Sequence, residues 1–148
     1  MFFQEIYFII YGVFFSLLTP KPVGTGYSIL FYDPLTILGF LAVFSGIVII
    51  KEIDTIFIAI FALFAGIYAL ISGVSGYDLG MTREPLALLG LYATSGLAGI
   101  LFLPLKFSRK IPGIIIIVLL IIAAFLAFYI GGSAVYEHLQ GFINMSGA

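Results

Sequence analysis

Tyr27–Gly39 reads YSILFYDPLTILG, and Tyr77–Gly90 reads YDLGMTREPLALLG. Each stretch follows a glycine. Each has a tyrosine, a short spacer, then acid-Pro-Leu-x-x-Leu-Gly opening a long apolar run. Fifty residues separate Tyr27 from Tyr77, and 51 separate Asp33 from Glu84. A period near 50 with one residue of slack marks a duplicated structural unit. It describes how the chain is built and carries no chemistry of its own.

The composition says what surrounds that unit. The 148-residue chain is 63% hydrophobic and 9% charged, with a mean hydropathy of +1.28. Soluble domains are about 25% charged. A soluble fold of this size has too little interior to hide so much apolar surface, so the expected solvent is the bilayer. A spanning helix needs roughly 17–25 mostly apolar residues. Five segments qualify: about 2–18, 34–50, 56–73, 85–105 and 113–136. Backbone polar groups in lipid need internal partners, so all five are expected to be helices.

Polar punctuation separates the segments. Thr19–Gly26 holds two prolines and two glycines and cannot continue a helix. Lys51–Thr55 reads as a tight turn. Ser72–Gly76 reads as the start of a longer loop reaching Glu84. Lys106–Pro112 joins the last two segments, and Leu139–Ala148 reads as a short frayed tail. The N-terminus lacks a basic stretch and carries Glu5, so it is read as a retained span rather than a signal peptide.

Lys51, Lys106, Arg109 and Lys110 fall on one side of this layout, and Lys21 and Arg83 on the other. The excess predicts a multi-pass cell-membrane protein with its N-terminus in the cytoplasm and its C-terminus outside. The fold expected is thus an all-α membrane protein forming a single transmembrane domain. It consists of two parallel helical-hairpin repeats plus a fifth helix.

The repeated motif has two physical readings. Proline suits the first helical position, and a preceding acid caps the exposed N–H groups. Asp33 and Glu84 are then helix caps, with Thr82 assisting the second. Alternatively Asp33, Asp78, Arg83 and Glu84 form a binding site on the outer face, where carboxylates at a mouth attract cations. Small residues at helical spacing mark packing faces: Ala42 and Gly46; Ala62 and Gly66; Gly90, Thr94 and Gly99.

Much chemistry is ruled out by composition. The chain has no cysteine and one histidine, His138, so no thiolate or multi-histidine metal site forms within it, and no cofactor is expected. The basic residues are scattered, which argues against nucleic-acid binding. The expected spans hold no central ionisable residue of the kind proton relays use. The only polar stripe through a span is Tyr92, Thr94 and Ser95. No catalytic residues are expected.

The run Asp78–Leu86, then Gly90 and Gly96 to Pro104, resembles the DUF981 family of multi-span membrane proteins. Gly26–Phe31 resembles that family's loop before its next helix. The similarity covers about residues 20–135 and departs from the family pattern at Asp78, where an amide is expected. The resemblance implies the architecture and a mainly archaeal source, and no activity. The leading expectation is a non-catalytic integral membrane protein, an accessory or scaffold subunit. Its partners would be the lipid bilayer and other membrane subunits or its own copies. The alternative is a homo-oligomeric ion channel or small-solute transporter with an acidic outer mouth.

Overall fold

A computed structural model of the chain describes residues 10, 30, 33–105, 107 and 110–146. The expected first span, apart from residue 10, and the loop holding Lys21 and Tyr27 lie outside the described residues. Those residues form four α-helices and no strand: α1 Asp33–Ile50, α2 Ile56–Asp78, α3 Pro85–Leu105 and α4 Lys110–Ser146. Three of them are long and apolar enough to cross a membrane, α2, α3 and the Ile111–Gly141 part of α4. The apolar part of α1, Thr36–Ile50, is shorter. The helical class and the membrane character expected of the composition are therefore present.

Local chemistry sets the helix ends. The first N–H of α2, on Ile56, donates to Asp54 Oδ1 at 3.0 Å, while Thr55 makes no side-chain cap. Pro85 opens α3, and the Leu88 N–H donates to the Glu84 carbonyl at 3.0 Å, so Glu84 occupies the cap position. At the end of α2, Gly80 N–H bonds the Tyr77 carbonyl and Met81 N–H bonds the Gly76 carbonyl, each at 3.1 Å. This is a Schellman closure, with Gly80 in the left-handed conformation at φ +60°. The end of α1 closes the same way. Glu52 N–H bonds Ile49 and Ile53 N–H bonds Val48, and the left-handed position falls on Glu52, at φ +54°.

Two segments differ from the sequence reading. Ser72–Gly76 is not a loop; α2 runs on to Asp78. Its glycines serve close approach. A Cβ on Gly73 would lie 2.5 Å from Tyr92 Cβ, and one on Gly76 would lie 2.8 Å from Leu88 Cδ2. Nor is 139–146 a frayed tail, because α4 continues to Ser146. Gln140 Nε2 bonding the Tyr136 hydroxyl four residues away supports that extension.

α3 is the central element. It packs most extensively on α2, then on α4, while α1 rests lightly on α2. The α2 seam is Ala59, Ala62, Gly66, Ala69, Gly73 and Gly76, alternating by three and four residues. Opposite it on α3 stand Leu88, Tyr92, Gly96 and Gly99. A Cβ on Gly66 would sit 2.5 Å from the Gly96 carbonyl oxygen, and one on Gly99 2.7 Å from that of Ala62. The backbones touch, which is how small residues join helices in lipid. At one end of this seam Leu30, Leu88 and Tyr92 form the buried core, with Ala69 and Met81 packed on it.

Candidate functional site

Asp33 begins α1, and its Oδ2 accepts the Tyr68 hydroxyl at 3.5 Å. Tyr68 is the thirteenth residue of the 23-residue α2, near its middle. Ten residues, about 15 Å of helix axis, separate it from Asp78 at the helix end. The Asp33 carboxylate thus meets α2 through a residue ten positions before Asp78. The segment before α1 accounts for this. Leu30 is 3% exposed and wedged against Gly76 and Leu88, and its carbonyl accepts the Tyr92 hydroxyl. The chain has already entered the helical layer before Asp33 is reached.

Asp78 and Arg83 are exposed and Glu84 half-buried at the end where α2 passes to α3. Thr82 does not assist the cap: its Oγ1 is buried and has no hydrogen-bond partner among the described residues. The side chains of Glu137 and His138 lie outside the description. Among the described residues no three His, Cys, Asp or Glu side chains gather as a metal site would require.

Beside Pro34 and Tyr68 the helices leave a cleft of about 470 Å³. Pro34, Ile37 and Leu41 of α1 form one wall, Ala65 and Tyr68 of α2 another, and Leu91, Tyr92 and Ser95 of α3 the third. Toward the other end of α1, Phe44 and Phe61 pack with ring centroids 6.1 Å apart. A second cleft of about 460 Å³, between Ser45, Thr55, Ala59 and Leu105, lies at that other end.

The hydroxyls along α3 are turned onto the protein. Ser95 Oγ donates to Leu91 O at 2.7 Å, and Thr94 Oγ1 to Gly90 O at 2.8 Å. Ser72, buried on α2, lies beside the Tyr68 hydroxyl, and Tyr68 lies near Tyr92. Asp33, Tyr68, Ser72 and Tyr92 thus form one polar cluster inside the helical layer. Sequence reasoning names Asp33 as a helix cap and Tyr68 and Tyr92 as polar groups inside the spans, and does not join them. No spacing in an apolar span points a tyrosine to a partner 35 residues away.

The packing residues divide between two interfaces. Ala62, Gly66 and Gly99 line the α2–α3 seam. Gly90 faces α4 instead: a Cβ there would lie 3.0 Å from Leu126 Cδ1. Thr94 bonds its own helix. Gly46 on α1 is half-buried, and the side chain of Ala42 is not described. Gly73, which the sequence groups with Ala65 and Ala69 as a small-residue set, also belongs to the seam. Gly96 does too and was not singled out; its three-residue spacing from Gly99 was the available signal.

One feature extends beyond the helical layer. The 37 residues of α4 span about 55 Å. A hydrocarbon core is about 30 Å thick and spanning helices tilt by at most about 40°, which leaves part of α4 outside any bilayer core. Its later part exposes Val135, Tyr136 and Leu139, each more than half accessible.

Compared with known proteins, residues 2–141 match a family model described as "Protein of unknown function (DUF981)". The match covers α1 to α3 and most of α4, and it does not bear on the archaeal source. No curated protein and no solved structure matches the chain.

Proposed function

We propose that this chain, which belongs to the DUF981 family, is a non-catalytic integral membrane protein acting as an accessory or scaffold subunit of a membrane assembly. The observation that carries this reading is α4. It packs on α3 alone among the described helices, it is too long for a bilayer core, and its later part keeps Val135 and Leu139 exposed four residues apart on one face. Lipid covers such side chains within the bilayer; at its edge, where Leu139 follows the expected span 113–136, a protein partner covers them. The partner is another membrane subunit or a second copy of the chain.

In this reading the chain forms one transmembrane domain of five spans, about 2–18, 34–50, 56–73, 85–105 and 113–136. Two like-oriented hairpins are followed by a fifth helix, with the N-terminus cytoplasmic and the C-terminus outside. The hairpin relation is supported by the repeated acid-proline starts at Asp33 and Glu84. The orientation rests on the lysine and arginine excess.

Extraction in a mild detergent followed by native mass analysis tests the assembly. A complex with copies or partners is expected; a strictly monomeric species sinks the reading. Cysteine labelling from either side of the membrane, at positions 53 and 79, tests the topology.

A second reading, a homo-oligomeric channel or small-solute transporter, gains from the Asp33 carboxylate, which meets Tyr68 between α1 and α2. Ionisable groups inside a bilayer generally mark a functional path. Liposome flux measured with Asp33→Asn and Glu84→Gln separates it from the first. Cation flux that falls in Asp33→Asn supports transport, and absence of flux in the wild-type chain refutes it.

A further inference from the structure

The two ends of the helical layer differ in charge. The turn from α1 to α2 and the passage from α3 into the first residue of α4 carry Lys51, Lys106, Arg109 and Lys110. Against these four cations stand two carboxylates, Glu52 and Asp54, for a net charge of +2. Asp54 is held by the Ile56 N–H. The passage from α2 to α3 carries Arg83 against Asp78 and Glu84, for a net charge of −1. Lys106 and Arg109 lie outside the described residues. The chain itself ties them to the end of α3, because only four residues separate Leu105 from Lys110.

The cleft of about 460 Å³ lies at this positive end, between α1, α2 and α3. Ile49, Thr55 and Leu105 line it at the helix ends, and Ser45, Ala59 and Phe102 line it about one turn deeper. Three to five residues of helix are about 5–8 Å. The cleft therefore sits where the expected spans 34–50, 56–73 and 85–105 meet the headgroup layer. Its chemistry is graded over that depth. Ala59 and Phe102 are apolar, and the deeper hydroxyl, Ser45 Oγ, donates to the Leu41 carbonyl at 2.7 Å. At the mouth Thr55 is exposed and makes no side-chain cap. Lys51, in the turn between Ile49 and Thr55, is also exposed, and no carboxylate among the described residues pairs with it.

Such a cleft suits an occupant that is apolar inside and anionic outside. A lipid without net charge gains nothing from the excess of cations, and a free phosphate gains nothing from the apolar walls. We propose that this cleft binds an anionic phospholipid. An acyl chain lies against Ala59 and Phe102, and the phosphate lies at the mouth beside Lys51 and Thr55. Basic pockets between spanning helices hold anionic headgroups in this way. The proposal rests on the cleft and the charge difference between the two ends, and not on the assembly reading.

The test uses the full chain, stripped of lipid in mild detergent. It is titrated with phosphatidylglycerol, with phosphatidylcholine of the same acyl chains, and with glycerol 1-phosphate, and bound molecules are counted by native mass spectrometry. Phosphatidylglycerol should bind saturably, one per chain and at least about fivefold more tightly than phosphatidylcholine. Glycerol phosphate should neither bind nor compete. Lys51→Gln should weaken phosphatidylglycerol about fivefold, the effect of one lysine at an anionic headgroup. Ser45→Phe, which fills the cleft and leaves every charge in place, should abolish the saturable site. Equal binding of the two lipids overturns the proposal, and so does competition by glycerol phosphate as strong as by the lipid. A preference unchanged in Ser45→Phe places the lipid outside the cleft and overturns it as well. The first two comparisons use the wild-type chain, so they decide the matter even where a variant fails to fold.

Discussion

Two residues at helix ends carry opposite conformational accounts. Gly80 and Glu52 occupy the same left-handed position of the same closure, at φ +60° and +54°. For a residue with a Cβ that conformation costs about 1–2 kcal/mol. Glycine avoids this cost but gives up about 0.5–1 kcal/mol in backbone entropy. Gly80→Ala should therefore destabilise the protein by about 0.5–1 kcal/mol, and Glu52→Gly should stabilise it by a similar amount. Denaturant titration in detergent micelles, followed by far-UV circular dichroism, measures both. Shifts of the same sign in the two variants contradict the account. Tyr92→Phe tests a third residue. It removes the hydroxyl that the buried Leu30 carbonyl accepts and should cost about 1 kcal/mol in the same titration.

At the scale of elements, the α2–α3 seam depends on the absence of side chains. Gly66→Ala would place a methyl 2.5 Å from the Gly96 carbonyl oxygen and 2.9 Å from the Ile100 nitrogen, both backbone atoms. The helices must separate, and the expected loss is about 1–3 kcal/mol. Gly131→Ala on α4 is the control. Nothing lies within 4 Å of the added carbon, so the substitution should be neutral or stabilise by up to about 1 kcal/mol through helix propensity. A Gly66→Ala protein as stable as the Gly131→Ala protein would mean that the two helices do not touch backbone to backbone. The seam also shows what periodicity conveys. Small residues at three- and four-residue spacing mark a packing face. They do not say which helix will cover it, and so Gly90 and Gly99, grouped by spacing, face α4 and α2 respectively. Glycine is likewise ambiguous in one dimension. Ser72–Gly76 reads as a helix breaker, and it is a helical segment whose glycines admit Tyr92 and Leu88.

At the scale of the whole molecule, the prediction concerns α4. Replacing Val135 and Leu139 by lysine should leave helix content unchanged, since both side chains are exposed. The same change should shift native mass toward the monomer if that face meets a partner. An unchanged oligomeric mass places the partner surface elsewhere. The all-helical class was legible in the sequence because it is set by local quantities: the run length of apolar residues against bilayer thickness, and the need of each backbone N–H and C=O for a partner within its own segment. The starts of α1 and α3 were legible for the same reason, since Asp33-Pro34 and Glu84-Pro85 act on their own first turns. The partners of the segment around Asp33 were not. Tyr92 holds the Leu30 carbonyl across 62 residues of chain, and Tyr68 reaches Asp33 across 35. Which helix meets a helix start is a property of non-local packing, and so only the tertiary structure sets Asp33, which the sequence marks as a helix cap, against Tyr68.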